Sequence, residues 1–332
     1  MLSLSRLYEL SLYEEADAGM NYALKRFLQL IPILFGITFL SFLLMYLAGS
    51  DAVTEMYTNR GVEVAQEIID EKKAELGLNL PFLQQYINWL WAMFHGDMGT
   101  SYVTGENVLA AFLRKLPATL LLTALSIGLT VIISLPLGIL AAVKHDRIPD
   151  LCLRFCSFLG NAMPNFFVAM LLMEFLGIQL GLLPVISSGM DVKSAIMPTL
   201  TLSIAMSAKY MRQVRSAVLE ELNKDYVLGA RARGVSDSII LWKNVMKAAM
   251  LTILTLLALS IGSLLGGTAI IESIFMWDGV GKLAVDAINM RDYPIIQAYV
   301  MWMAIIYVFV NLVADLLYHH LDPRIRLGVN SK

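Results

Sequence analysis

Residues 225–238 read DYVLGARARGVSDS. This polar, basic island lies between two apolar runs, Ile196–Met211 and Met246–Ile271. Within it, Gly229, Ala230, Ala232 and Gly234 are all small, and Arg231 and Arg233 alternate with them. Alanine favours helix, whereas a glycine such as Gly234 ends one and permits a turn. The island therefore reads as a short helix able to lie close against another protein. A solvated loop would account for the arginines but not for the run of small side chains.

Outward from the island, the composition identifies the solvent. Of 332 residues, 58% are hydrophobic and only 16% charged, and the mean hydropathy is +0.66. Soluble domains carry about 25% charged residues. A bilayer accepts the excess if apolar residues come in runs of about 17–25. Six runs are present: Leu24–Leu47, Pro117–Val143, Ser157–Leu183, Ile196–Met211, Met246–Ile271 and Pro294–Leu317. The alternating segments of a barrel are absent. The expectation is an all-α membrane protein with six transmembrane helices, a long extracellular loop after the first and the polar island between the fourth and fifth.

Charge placement orients it. With the N-terminus inside, the inner segments hold 17 Lys/Arg and the outer segments 8. The positive-inside rule then sets both termini, and the island, in the cytoplasm. The net charge of -2 singles out no partner, and no nucleic-acid role is expected. Residues 1–24 form a cytoplasmic lead-in; Glu9, Glu14, Glu15 and Asp17 do not resemble a signal peptide. The membrane domain is expected over 25–318, with an outer loop at 48–116 and an inner loop at 212–245. A cytoplasmic tail follows at 319–332. In the outer loop, 62–78 reads as an acidic amphipathic helix ending near Gly77. Residues 81–99 read as an interfacial helix bearing Trp89, Trp91 and Phe94.

Several patterns point to chemistry and fail. DGVGKL (278–283) lacks a Walker loop's earlier glycine and its Ser/Thr, since Met276 and Leu283 stand there. Cys152 and Cys156 are four apart on one helical face and could hold a soft metal, with His145 within reach in principle. Structural cysteines are the simpler reading. His319 and His320 point differently on a helix and make a poor chelating pair. No metal ligand is assigned, and no catalytic residue. An intramembrane enzyme would need a nucleophile–base or metal-ligand set that is not found. A single-chain transporter driven by an ion gradient remains open, although no internal repeat of the kind many such proteins carry is evident. Glu174 lies within the third apolar run, where an ionisable side chain marks an aqueous path or a partner.

With these motifs in hand, the chain resembles the permease subunits of ATP-binding-cassette importers, in the dipeptide/oligopeptide/nickel family. Their cytoplasmic loop carries a Glu-Ala-Ala-x-x-x-Gly-like signature, which Ala230 and Gly234 match and Leu228 and Gly229 do not. The peptide/nickel branch usually reads Ala-Arg-Ala-Lys-Gly there, and ARARG (230–234) fits. The resemblance covers about residues 22–327 and includes LGLNLPFLQQYINWL (76–90), GDMGTSY (96–102), LPATL (116–120), MPNFF (163–167) and LDPRIR (321–326). It departs after the island, where Asn244, Ala248 and Thr252 stand near the family's His, Asn and Pro, so the fifth span should begin with a different bend.

The resemblance implies that Asp225, Tyr226, Ala230, Arg231, Ala232, Arg233, Gly234 and Val235 form a coupling helix that docks on an ATPase. The implied partners are a second homologous permease subunit, two cytoplasmic ATPase subunits, an extracellular substrate-binding protein and membrane lipid. The chain would bind no cofactor, with ATP and Mg on the ATPases, and would itself catalyse nothing. It would sit in a prokaryotic inner membrane. HDRIPDLCLRFCSFLGNAMPNFFVAMLL and GGTAIIESIF look most like the nickel-permease branch, so nickel or a metal chelate is the expected solute and di- or oligopeptides the alternative. Met163, Asn165, Glu174 and Glu272 are the expected translocation-path residues. Glu272, Asp278, Asp286 and Asp292 cluster after the fifth run, either as an ordinary solvated loop that contacts the binding protein or as an acidic outer rim that concentrates cations.

Overall fold

The computed structural model describes residues 28, 31–47, 53–54, 57, 64–187 and 189–321. The lead-in 1–24 and most of the tail lie outside them. Among the described residues, every regular element is helical, joined by one isolated β-bridge between Thr100 and Asn107.

α1 (Ile31–Leu47) is a short apolar helix. α2 (Gln66–Glu75) is followed by Gly77 at φ 69°, at the stop expected from the sequence. α3 (Phe82–Phe94) starts after Pro81 and lies against α1 through aromatic edges. Phe39 and Phe42 meet Tyr86 at ring centroids of 5.4 and 5.6 Å, and Thr38 Oγ1 and the Tyr86 hydroxyl are 3.0 Å apart. Only part of the expected interfacial face is open: Trp91 and Phe94 are exposed, while Trp89 turns toward Phe42 and Tyr86.

α4 (Val108–Val143) begins well before Pro117, the expected start. Asn107 caps it by accepting a hydrogen bond from the Ala110 amide at 3.0 Å, so the connection before it ends there rather than at 116. Pro117 and Pro136 both lie inside the helix. Neighbouring helices make such prolines tolerable in a membrane.

The third apolar run is not one straight span. α5 (Ile148–Ala162) and α6 (Asn165–Leu172, continued as a π-helix over Met173–Gln179) meet at 99°. The cause is Pro164, which has no N–H to give and pushes the residue before it out of the α region. Met163 accordingly sits at φ -82°, ψ 130°.

α7 (Val192–Leu222) also outruns its expected limit at Met211. At about 1.5 Å per residue it is roughly 46 Å long, longer than a hydrocarbon core of about 30 Å. The segment 212–245 is therefore no loop. It holds the end of α7, then α8 (Asp225–Ala232), then a turn at Asp237–Ile239 and a π-helical stretch at Ile240–Val245 that leads into α9 (Met246–Ile274). A different bend is expected near there; the structure has a π-helical stretch within one continuous helical run, Asp237–Ala258. α10 (Val280–Met290) and α11 (Tyr293–Leu321) complete the described chain.

Three described helical stretches are long and apolar enough to cross a membrane: Val108–Val143, Asp237–Ala258 and Tyr293–Val313. The bent pair makes a fourth if it counts as one span. In lipid, helices associate through close packing rather than hydrophobic burial, so small residues belong at their interfaces. α4 buries Thr119, Thr123, Ser126, Thr130 and Ser134 at helical spacing, and Ser203 of α7 donates to the Ser126 carbonyl at 3.1 Å. Around this pair, one buried cluster includes Ile139, Val214, Val218, Val227, Ile240 and Val245. Another includes Leu122, Ala169, Met197, Leu202, Ile271 and Trp277.

Candidate coupling and translocation site

The polar island folds as α8, with Asp225 in its first turn and Arg231 in its last, both favourable to the helix dipole. One face is anchored: Val227 and Ala230 are buried with Val214, Ile240 and Val245. Ala230 is therefore small because the chain's own core abuts it. The helix ends in a Schellman motif. The Gly234 amide donates to the Arg231 carbonyl at 2.9 Å and the Val235 amide to the Ala230 carbonyl at 3.1 Å. Gly234 takes φ 78°, and a Cβ there would meet nothing within 4 Å. Its glycine is thus required by backbone conformation, not by crowding within the chain.

The other face points outward. Asp225, Tyr226, Leu228, Arg231, Ala232 and Arg233 are all exposed. Arg231 pairs with Asp237 at 2.8 Å, and the Tyr226 hydroxyl donates to Glu221 at 3.0 Å. Burial, then the Glu221 hydrogen bond, pushes the Tyr226 phenol up to about 12, so it remains a neutral donor. The result is a rigidly stopped helix presenting cations, a phenol and a leucine on one surface.

The expected path residues do not converge. Met163 is half-buried at the bend and Asn165 is exposed at the start of α6. Glu174 is exposed on the π stretch, where it accepts from Gln179 Nε2 at 3.1 Å. Glu272 is not on an open rim at all: its exposure is 0%. Its carboxylate accepts from Thr119 Oγ1 at 2.8 Å and from the Lys282 amide at 3.0 Å. Thr119 Oγ1 in turn accepts from the Val280 amide at 2.8 Å. Glu272 and Thr119 thus satisfy the free N–H groups at the start of α10. A Cβ on Gly279 would collide with both Glu272 Oε2 and Thr119 Oγ1, and one on Gly281 would approach Glu272 Oε2 to 2.8 Å. Gly279 admits this carboxylate, and Gly281 admits both it and the close approach of Ala269 on α9, whose Cα a Cβ would meet at 2.6 Å.

The other acids of the expected rim are also engaged. Asp278 pairs with Lys115, and Asp286 with Lys282 at 2.5 Å. Asp292 is buried, accepting from the Ser101 hydroxyl and from the Tyr102 amide at 3.1 Å. Burial, then the Asp292 charge, pushes the Tyr102 phenol up to about 12. The segment after α9 is a set of ties between elements rather than a collector of cations. A cavity of about 570 Å³ opens near these ties, bordered by Tyr46, Gln85, Asn88, Trp89, Tyr293 and Gln297. None of the expected path residues lines it.

At the other end of α7 the structure reveals a group that the sequence reading missed. Asp150, fully buried, takes a bidentate contact from Arg215, with Nε at 2.6 Å and Nη2 at 2.9 Å. Arg154 Nη2 approaches the same carboxylate at 3.4 Å and Asp146 at 3.3 Å. The only local sign was an acid in the first turn after Pro149; its partner lies 65 positions away. Cys152 and Cys156 are free and exposed. No group of three or more His, Cys, Asp or Glu among the described residues is placed to hold a metal ion.

Comparison with known proteins bears on both ends of the molecule. Residues 134–327 match the family described as binding-protein-dependent transport system inner membrane component. Residues 20–123 match the corresponding N-terminal membrane component. The chain is 39% identical over 316 residues to the oligopeptide transport system permease protein AppB of Bacillus subtilis (strain 168), spanning 92% of this chain and 98% of that one. It is 36% identical over 310 residues to the metal-staphylopine import system permease protein CntB of Staphylococcus aureus (strain NCTC 8325 / PS 47), spanning 93% and 99%. Against the glutathione transport system permease protein GsiC of Escherichia coli (strain K12) the identity is 34% over 307 residues, spanning 92% and 99%. Among solved structures, the inward-facing MetNI methionine ABC transporter aligns at a TM-score of 0.52 and 17% identity, over 63% of this chain and 95% of that one. An amino acid ABC transporter with histidines aligns at 0.52 and 18%, over 64% and 94%. These last two likenesses concern the fold alone.

Proposed function

The chain belongs to the family of binding-protein-dependent transport system inner membrane components, and from that premise we propose that it forms half of the translocation path of an ATP-driven importer for peptide-class solutes. The observation that carries this reading is α8. It is a short helix held by its inner face to the core, stopped at Gly234 and open on its other face. Asp225, Tyr226, Arg231, Ala232 and Arg233 form the docking surface, while Ala230, Gly234 and Val235 fix its shape. Two ATPases, a second permease subunit and an external binding protein complete the assembly, and ATP and Mg belong to the ATPases. This chain contributes no catalytic group.

Six spans fit this role: α1, α4, the bent pair, α7, the rod from Asp237 through α9, and α11. α7 carries too many charges to look like a span by hydropathy alone, because its inner third stands clear of the hydrocarbon. Both termini are then cytoplasmic, in an inner membrane. Met163, Asn165 and Glu174 remain the residues proposed to border the path. Glu272 instead holds its outer end together.

Peptide-class solutes are favoured because two of the three relatives are named for oligopeptide and glutathione transport, and the oligopeptide relative has the higher identity, 39% against 36% for the metal-staphylopine one. The metal-staphylopine relative supports a second reading, in which a metal crosses already wrapped in an organic ligand. A bare nickel ion finds no three-residue ligand group among the described residues.

Gly234 supplies the test. Gly234→Ala strains the left-handed position and should cost about 1 kcal/mol. Gly234→Trp meets the same strain, and its Cβ has open space. In the assembled importer, the Trp variant should keep a melting temperature close to that of the Ala variant yet lose substrate-stimulated ATP hydrolysis. Equal ATP hydrolysis in the two variants would show that this surface does not dock.

A further inference from the structure

We propose that the cavity between α4, α5 and α7 binds the headgroup phosphate of an anionic phospholipid from the cytoplasmic leaflet. The proposal rests on the inward orientation of this end of α7 given above.

The cavity measures about 410 Å³ and is bordered by Arg154, Arg212, Arg215, Ser216 and Phe158. Three arginines thus border one small space. Asp150 and Asp146 answer Arg215 and Arg154, so three cations against two carboxylates leave one positive charge. Arg212 is exposed on the same wall. A guanidinium presents donors in a planar fork that suits phosphate oxygens. Lys209 stands one turn earlier on α7, also exposed, and adds to the field.

Depth and shape select the source of the phosphate. The apolar run of α7 ends at Met211, so Arg212 and Arg215 sit where hydrocarbon gives way to headgroups. Beside them, α5 turns Ile148, Leu151, Phe155 and Phe158 outward, at 77, 54, 66 and 69% exposure. Their spacing of three and four places them on one face. Phe158 belongs both to that face and to the cavity wall. A soluble phosphate makes no use of an apolar stripe that runs out of its site. An amphiphile uses both, with its phosphate among the arginines and its acyl chains along α5. Basic pockets between membrane helices on the cytoplasmic side are suited to such headgroups, and the inner leaflet supplies the negative charge.

Native mass spectrometry of the full chain tests this, alone and in the assembled importer, with phosphatidylglycerol, phosphatidylcholine and inorganic phosphate as probes. Phosphatidylglycerol should bind about tenfold more tightly than phosphatidylcholine, and Arg212→Gln should remove about that factor, as expected for one charge-assisted hydrogen bond. Phe158→Ser should weaken the lipid further. Lys193→Gln, at the opposite end of α7, should change nothing. Equal binding of the two lipids, or full affinity in Arg212→Gln, would overturn the proposal. Displacement by equimolar inorganic phosphate would make the site one for soluble anions, and loss of binding on assembly would make it a protein interface; either outcome overturns it. Failure of the importer reading shows separately, as absence of co-purifying ATPase and of uptake while phosphatidylglycerol selectivity persists.

Discussion

A buried carboxylate survives only if its oxygens are used, because an unpaired charge costs far more than a hydrogen bond returns. Glu272 meets that condition through Thr119 and the Lys282 amide, and two glycines make room for it. The sequence displayed the acid and the glycines side by side. It did not display Thr119, 153 positions away, which turns an apparent rim charge into a cap for α10. Glu272→Gln should therefore behave as a structural change. The amide oxygen can keep the Lys282 N–H, but the nitrogen would replace the oxygen that accepts from Thr119 Oγ1, so that hydroxyl must turn and the charge-assisted bonds are lost, at a cost of about 1–3 kcal/mol. The melting temperature of the solubilised chain should fall, and uptake of nickel and of a neutral dipeptide should fall together. Selective loss of nickel uptake at unchanged thermal stability would restore Glu272 to the cation route.

Among the elements, α5 and α7 are joined by a pair that no run of hydropathy could reveal. Asp150 is sealed and Arg215 is mostly covered, with side-chain exposures of 0 and 14%. Removing one member of such a pair strands the other, so Asp150→Ala should cost about 3 kcal/mol. In an Arg215→Met background the same change should cost less by about 1–3 kcal/mol. Denaturation of the four proteins in mixed micelles gives this coupling directly; additive losses would mean that the two side chains act independently. The same elements show what hydropathy does encode. It marked where lipid ends and not where a helix ends. α4 starts at Val108 rather than Pro117, and α7 continues to Leu222 rather than Met211. Once clear of the hydrocarbon, a helix accepts arginine without penalty, so the apolar run stops and the hydrogen-bond ladder does not. The bend at Met163–Pro164 was written in the sequence as a proline inside an apolar run. Its angle, 99°, depends on packing against α7 and could not be read from composition. α8 was legible almost to the residue, because its stop is a local signal: a glycine where a left-handed turn is needed.

At the scale of the whole molecule, the bent pair decides the topology. If it crosses the membrane, three crossings separate the outer loop from α8: α4, the bent pair and α7. If instead it dips in and returns, only two do, and the outer loop and α8 share a side. The count of positive charges favours three, with 17 Lys/Arg inside and 8 outside. A sharp bend weakens any argument from length alone, since neither arm is long enough to cross: 15 residues of α5 give about 22 Å at 1.5 Å per residue. Two exposed positions report the parity. Asp70 lies on α2 in the outer loop, and Ser236 lies just beyond the Schellman turn of α8. In a background with Cys152→Ser and Cys156→Ser, single variants Asp70→Cys and Ser236→Cys can be labelled with a membrane-impermeant maleimide. Asp70→Cys should react in intact cells stripped of their outer envelope and be protected in inside-out vesicles. Ser236→Cys should show the reverse. Both changes sit on exposed polar surface, so each should cost well under about 0.5 kcal/mol and leave the fold intact. Labelling of both from the same side would remove one crossing and turn the bent pair into a re-entrant element. α8 would then face away from any cytoplasmic ATPase, and the proposed coupling surface would have no partner to meet.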